Sequence, residues 1–235
     1  MLVSVILPCY NPPENWDSSI IQEYQKLRQQ IPDELELILV QDGANLNLEP
    51  GIKRLKTELS NFNHVQYPEN RGKGYALRKG VETANGELII YTDIDFPYNT
   101  ESFLKIYAAL KNDECDLAAG VKDESYYSHV PFSRRVLSKG LRWLIRLFLS
   151  IPFTDTQCGL KGFQKNMKAI FLKTQINRYL FDLEFIRLSH KRGYRVKPIK
   201  IKLNDNVHFR GMNYRVLFAE SLNFLKLLFR PRYGE

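Results

Sequence analysis

The sequence predicts an α/β protein, a single domain whose central sheet is mostly parallel and covered by helices on both faces. Three observations predict it. Short apolar runs alternate with segments of helical periodicity through the first half of the chain, the pattern of a sheet built from crossover units. The runs at 2–8 and 34–42 are rich in Val, Ile and Leu, as expected of strands buried in a sheet with both faces covered. No Pro-, Gly- or Ser-rich linker divides the 235 residues, a length that one large α/β domain can fill.

Taken in order, "LVSVILP" (2–8) reads as a buried strand, 16–31 as a helix and "ELELILVQD" (34–42) as a second strand. A helix is expected over 51–61, a short strand over 64–68 and a helix over 72–86 that stops at a glycine. Residues 87–92 read as a strand, 101–112 as a helix and 116–121 as a strand. Beyond 121 the pattern changes. We expect a polar loop over 122–135, a helix over 134–149, then turn and strand over 155–163. Helices follow at 165–172 and 181–192, then an alternating strand at 194–203 and a last helix at 213–229. The main domain is placed at 1–203, with 204–235 as a C-terminal loop and amphipathic helix extending it.

Composition narrows the function classes. The hydrophobic share of 44% is ordinary for a globular chain. Cys9, Cys115 and Cys158 lie far apart with no C-x-x-C spacing, which argues for reduced thiols and a cytoplasmic setting. The four histidines are scattered and form no zinc pattern. "MLVSVILPCY" lacks the basic start and length of a signal peptide. No uncharged apolar run reaches the length of about 18 residues that a membrane span needs. The net charge of +8 conceals a split: residues 1–130 carry 12 Lys+Arg against 20 Asp+Glu, and 131–235 carry 22 against 6. A basic half of this kind suits an anionic partner: nucleic acid, lipid headgroups or a phosphorylated substrate.

Three polar segments, Pro8–Asn11, Gln41–Gly43 and Asp93–Asp95, fall at the carboxyl ends of expected strands, where open α/β sheets bind ligands. "TDID" places Asp93 and Asp95 one residue apart after an apolar run. On extended backbone they would point the same way, and at ~4 Å two like charges repel by roughly 1 kcal/mol in water and ~4 at an effective dielectric of 20. A Mg²⁺ or Mn²⁺ ion could offset that; so could a Lys or Arg neighbour, or solvent. "ENRGKGYALRKG" (69–80) supplies Arg71 and Lys73 among glycines ahead of a helix whose free amides suit an anion; as a plain glycine turn it would simply be solvated. It is not a Walker A loop, and no G-x-G-x-x-G follows the first strand. "LVQDGA" (39–44) ends a strand on Asp42, which suits the ring N–H of a base, or an ordinary Asp-Gly turn.

With "LPCYN" (7–11), these segments resemble the family-2 glycosyltransferases of the Rossmann-like GT-A fold, which show a P-x-Y-N turn, an Asp-rich strand end, an N-x-G-x-x-x-A stretch and a D-x-D in this order. The resemblance implies that Pro8, Tyr10, Asn11 and Asp42 hold the base and ribose of a nucleotide-sugar donor. It places Arg71 and Lys73 near the nucleotide, and Asp93 and Asp95 on the metal–diphosphate, with Mg²⁺ or Mn²⁺ as cofactor. The chain has Gln41–Asp42 where the family usually has two adjacent aspartates. "DTQCGLKGF" (155–163) and "FDLEFI" (181–186) are similar to segments of the dolichyl- and polyprenyl-phosphate glucosyl- and mannosyltransferase branch.

The basic half adds an amphipathic helix at 134–149. Arg135, Lys139, Arg142 and Arg146 lie on one side, and Leu137, Leu141, Leu144 and Phe148 on the other. It would suit an anionic membrane surface or a core with a solvated basic face. The last helix, with Tyr214, Leu217, Phe218, Leu222, Leu225 and Phe229 in register, would suit peripheral attachment or a homodimer. The expected function is metal-dependent, inverting transfer of a hexose from a UDP-sugar, or GDP-mannose, to a polyprenyl-phosphate lipid at the inner, cytoplasmic face of the membrane. Asp95 and Asp155 are the catalytic candidates. Asp155 would be the general base if the acceptor were a sugar hydroxyl, with Asp182 and Glu184 behind it. Arg134, Arg135 and Lys139 are the candidates for gripping an acceptor phosphate. Glycan synthesis with a hydroxyl acceptor is the alternative. A basic nucleic-acid-binding module is a rival of another class, lacking an RNA or DNA motif; no nucleic-acid partner is expected.

Overall fold

The computed structural model describes residues 1–43, 47–122, 140, 153, 155, 156, 158–204 and 224. The expected loop over 122–135 and helices over 134–149 and 213–229 lie outside the described residues, apart from Lys122, Gly140 and Phe224. So do Arg134, Arg135 and Lys139.

Seven strands form one sheet in the order β3-β2-β1-β4-β6-β5-β7. They are β1 (Leu2–Cys9), β2 (Glu34–Asp42), β3 (Phe62–Tyr67), β4 (Leu88–Tyr91), β5 (Leu117–Lys122), β6 (Lys161–Gln164) and β7 (Val196–Ile201). β1 pairs parallel with β2 and β4, β2 with β3, and β5 with β7. β6 runs antiparallel between β4 and β5. The sheet is therefore mixed but mostly parallel, as expected. Among the described residues the α-helices are α1 (Trp16–Gln30), α2 (Glu49–Glu58), α3 (Lys73–Thr83), α4 (Thr100–Lys111), α5 (Lys168–Leu172) and α6 (Phe181–Lys191).

Alternation along the strands divides the core in two. Val3, Val5, Leu7, Leu35, Leu37, Leu39, Leu88 and Ile90 pack on one face with α1, α2 and α4. Ile6, Ile38, Val40, Ile89 and Tyr91 pack on the other with α3, α5 and α6. Of the described helices, none is long and apolar enough to cross a membrane. The three cysteines are buried and unbridged, and burial raises the Cys9 thiol to about 12.

Two helix boundaries depart from expectation for identifiable reasons. α2 begins at Glu49 rather than 51 because Pro50 sits in its first turn, where its missing N–H costs nothing. α3 stops at Thr83, three residues before the expected end, and Ala84 is already extended. Buried Glu36 on β2 accepts both the backbone and the side-chain N–H groups of Asn85, and Gly86 donates to Ser4 Oγ. This polar network draws the chain out of the helix and onto the sheet.

The order places the site. The chain runs outward from β1 through β2 to β3, then returns to β4 on the other side of β1. The carboxyl ends of β1 and β4 flank this reversal, with Ile6 opposite Tyr91. Ligands of open α/β sheets bind in such a crevice.

Candidate active site

At these strand ends lie Pro8 near the end of β1 with Tyr10 and Asn11 just after it, Asp42 at the end of β2, Arg71 just before α3 and Lys73 at its first residue, and Asp93 and Asp95 after β4. Tyr10 is 49% exposed, and Asn11 adopts a positive φ of 47°, so the chain turns sharply away from the sheet and leaves the ring outside.

Asp42 organises the neighbouring turn. It is buried, yet its carboxylate accepts four hydrogen bonds: from Tyr67 O–H at 2.9 Å, Asn70 Nδ2 at 3.1 Å, Arg71 N–H at 2.7 Å and Gly72 N–H at 2.9 Å. A carboxylate offers about four lone-pair sites, and as placed all are directed at this turn. Burial and the adjacent Asp42 carboxylate raise the Tyr67 phenol. Gly72 has φ 97°, and a Cβ there would lie 2.6 Å from the Asn177 carbonyl, so glycine is required on both counts. Gln41, where the family usually has aspartate, lies 3.2 Å from His64 Nε2 through its Oε1.

Two of the amides expected to be free at the start of α3 are engaged. Gly74 N–H and Tyr75 N–H both donate to the Asn177 carbonyl, at 2.8 and 3.4 Å. Arg78 holds that segment through Thr174 Oγ1, the Ile176 carbonyl and Asn177 Oδ1. The anion-binding potential of this end therefore rests on side chains. The Arg71 guanidinium lies 4.9 Å from the Tyr75 ring centroid. Arg178, which the sequence reading passed over, packs its stem against Gly72, and Tyr179 beside it is 53% exposed. In sequence they are an unremarkable Arg-Tyr pair, and only the fold brings them to the glycine turn.

Asp93 and Asp95 do not share an extended strand. β4 ends at Tyr91, and Phe96 N–H donates to the Asp93 carbonyl at 3.0 Å, closing a turn over Ile94 and Asp95. The alternation argument fails for that reason: Asp93 is half-buried and Asp95 exposed. The charge offset that the sequence left open is supplied by Lys73, whose ammonium pairs with Asp93. Burial presses the Lys73 pKa down, but Asp93 and Asp182 together carry it above its ordinary value, so Lys73 is a resident cation.

Asp155 lies where its Oδ2 accepts the Lys122 N–H at 2.7 Å. Nearby Thr156 Oγ1 is, among the described residues, the buried side-chain polar atom that lacks a hydrogen-bond partner. The two reserve candidates for a base are displaced by the structure. Glu184 is buried, and its carboxylate accepts Gln175 N–H and Ile176 N–H at 2.9 and 2.8 Å. Asp182 is buried against Lys161 at 2.9 Å and Tyr91 O–H at 2.5 Å. Both sit beneath the site, out of contact with solvent.

Among the described residues no group of three or more His, Cys, Asp or Glu could hold a metal. Asp93 and Asp95 offer at most two hard oxygen ligands, which fits Mg²⁺ or Mn²⁺ held largely by substrate phosphates and water rather than by a protein cage.

A mixed, mostly parallel sheet with helices on both faces and charged side chains at its switch point defines a class, the open α/β folds. Residues 4–201 match the sequence model described as Glycosyl transferase family 2, and the chain belongs to that family. It is 27% identical over 202 residues to Glycosyltransferase AglD of Haloferax volcanii, covering 85% of this chain and 32% of that protein. It is 28% identical over 219 residues to a dolichyl-phosphate beta-glucosyltransferase of Drosophila melanogaster, covering 86% and 67% respectively. A protein of the same name from Dictyostelium discoideum is 25% identical, covering 86% of this chain and 66% of its own length. The chain thus spans a third of the first relative and about two-thirds of the others. The two dolichyl-phosphate beta-glucosyltransferases carry the name of the branch that the motifs resemble. Glucosyl-3-phosphoglycerate synthase from Mycobacterium tuberculosis, solved with Mn²⁺, uridine diphosphate and glucosyl-3-phosphoglycerate, superposes with a TM-score of 0.68 at 16% identity, covering 99% of this chain and 81% of that one. At that identity the likeness is one of fold, and it is the GT-A fold that the motifs implied.

Proposed function

We propose that the chain transfers a hexose, with inversion, from a nucleoside-diphosphate sugar to a polyprenyl-phosphate lipid at the cytoplasmic face of a membrane. A UDP-sugar is the favoured donor and a GDP-sugar the alternative. The observation that carries the reading is the Lys73–Asp93 pair at the β1/β4 switch point, in a family-2 chain. The names of the dolichyl-phosphate relatives support the acceptor class.

In this reading Pro8, Tyr10 and Asn11 flank the nucleoside. Asp42 shapes the turn over 70–72, and a base N–H would reach it by displacing one of the four donors it now holds. Arg71 and Lys73 face the diphosphate; Lys73, kept protonated by its carboxylate neighbours, donates to phosphate oxygens and steadies their developing charge. Asp93 and Asp95 would hold Mg²⁺ or Mn²⁺, which when bound supplies Lewis-acid neutralisation of the leaving diphosphate. A lipid phosphate is ionised near neutral pH and attacks without a general base. Arg134, Arg135 and Lys139 would bind it, and the basic and terminal amphipathic segments would meet the anionic surface or a second copy of the chain. Asp155 would act as base only toward a hydroxyl acceptor.

The test incubates purified protein with UDP- and GDP-sugars, Mg²⁺ or Mn²⁺, and polyprenyl phosphate. Sugar on the lipid, lost in Asp95→Asn, is the expected result. Transfer to soluble glycans alone would replace the lipid acceptor by a hydroxyl one and call Asp155 into service.

A further inference from the structure

We infer that Lys161 is a positioning residue for the Asp93 carboxylate, acting through Asp182, Tyr91 and the turn at Cys158 and Gly159. The ligand of Asp93 is the one proposed above; the positioning rests on contacts within the chain.

Lys161 opens β6 and is 0% exposed. A buried lysine must find partners for its ammonium. It has Asp182 at 2.9 Å and the Cys158 carbonyl, and it lies 5.9 Å from the Tyr91 ring centroid. Asp182 in turn accepts the Tyr91 O–H. Tyr91 is directly opposite Lys161 in the sheet and is the last residue of β4, two before Asp93. One buried charge pair therefore grips both walls that lead into the site.

The second wall ends against Asp93 itself. By holding the Cys158 carbonyl, Lys161 closes the turn that contains Gly159, whose N–H donates to Tyr98 Oη at 2.9 Å. A Cβ on Gly159 would lie 2.2 Å from Asp93 Oδ2 and 3.4 Å from Lys73 Nζ. The glycine backbone thus lies directly against the carboxylate, beside its ammonium partner, so the turn borders the Lys73–Asp93 pair. A third contact seats the turn: a Cβ on Gly120 of β5 would lie 2.6 Å from the Leu160 carbonyl and 2.8 Å from Cys158 Sγ.

Stability alone gives weak reason for such a pair. Removing two charges from water is costly, and apolar replacements of buried pairs are often neutral or better. An apolar pair would fill the space but would leave the Cys158 carbonyl without a donor and the turn free to lift from Asp93. Residues that orient a ligating carboxylate typically affect metal affinity or activity 10–100-fold.

Two variants test this. Lys161→Met/Asp182→Asn removes both charges and keeps an acceptor for Tyr91. Gly159→Ala leaves the pair intact and pushes directly on Asp93. Each is read for thermal midpoint, for the ¹H–¹⁵N resonance of the Lys73 ammonium (assigned with Lys73→Arg), and for Mn²⁺ binding in the presence of UDP. Expected for both are a near-native midpoint, a shifted or exchange-broadened Lys73 signal, and Mn²⁺–UDP affinity weakened about ten-fold or more. A folded double variant with the wild-type Lys73 signal and affinity overturns the inference. If the double variant does not fold, Gly159→Ala decides: an unchanged signal shows that the turn does not set Asp93. Failure of the wild-type chain to bind Mn²⁺–UDP would count against the proposed function and leave the resonance test standing.

Discussion

Asp42→Ala separates two ways in which a carboxylate at the end of β2 can serve a ligand. The wild-type carboxylate holds Tyr67, Asn70, Arg71 and Gly72. Hydrogen bonds to a charged acceptor contribute about 1.5–3 kcal/mol each, and buried donors left unmet cost most. Asn70 and Arg71 are exposed and regain water on truncation; Tyr67 and Gly72 are half-buried and regain less. Two poorly compensated donors give a loss of about 3 kcal/mol. For a chain of this size that lowers the thermal midpoint by roughly 10 °C, at about 2–4 °C per kcal/mol. Asp42→Asn keeps one acceptor oxygen and should lose about half as much. The assay is thermal unfolding by circular dichroism alongside UDP titration by calorimetry. We expect the midpoint and the UDP affinity to fall together. An Asp42→Ala protein that melts within about 1 °C of wild type yet has lost UDP would refute the organising role and make Asp42 a direct ligand.

Other perturbations test other parts. Lys111 and Tyr107 hold the Asp33 carboxyl well below the usual carboxylate range. Its stabilisation is therefore present above the unfolded value of about 4 and lost as pH falls through the depressed folded value. The urea midpoint gap between wild type and Asp33→Asn should be wide at pH 7 and close in strong acid; a gap constant across that range would contradict the pairing. Gly74→Ala places a Cβ 2.4 Å from the Ile176 carbonyl and 2.8 Å from Phe181 Cβ, and should cost about 3 kcal/mol, read by urea unfolding. Gln175 N–H and Ile176 N–H both donate to Glu184 Oε2; Glu184→Gln keeps an oxygen there but removes its charge, which weakens both bonds, and faster hydrogen exchange over 174–177 is expected with little change in the rest of the chain. Chelation should abolish sugar transfer and added Mn²⁺ or Mg²⁺ restore it; full activity in chelator would remove the metal from the proposal.

The sequence by itself determined which segments become strands and helices wherever burial repeats with a fixed period. β2 matches its expected bounds of 34–42, and β1 differs by one residue, because their Val, Ile and Leu residues satisfy both faces of the sheet. It also brought Tyr10, Asp42 and Asp93 to strand ends, since polar residues that follow apolar runs must leave the core there. What a polar group does once it arrives depends on neighbours far along the chain, and only the tertiary structure decided it. The end of α3 was set by Glu36, the start of α3 was closed by the carbonyl of Asn177, and the charge of Asp93 was met by Lys73, one of the offsets the sequence left open. Lys161 stands in the D-T-Q-C-G-L-K run that the sequence marks out, but nothing local shows that it is buried; its burial follows from lying opposite Tyr91 and beside Asp182, partners that only folding brings within hydrogen-bond reach. Apolar burial is non-directional and additive, so it can be read locally, whereas hydrogen bonds and ion pairs require specific atoms about 3 Å apart.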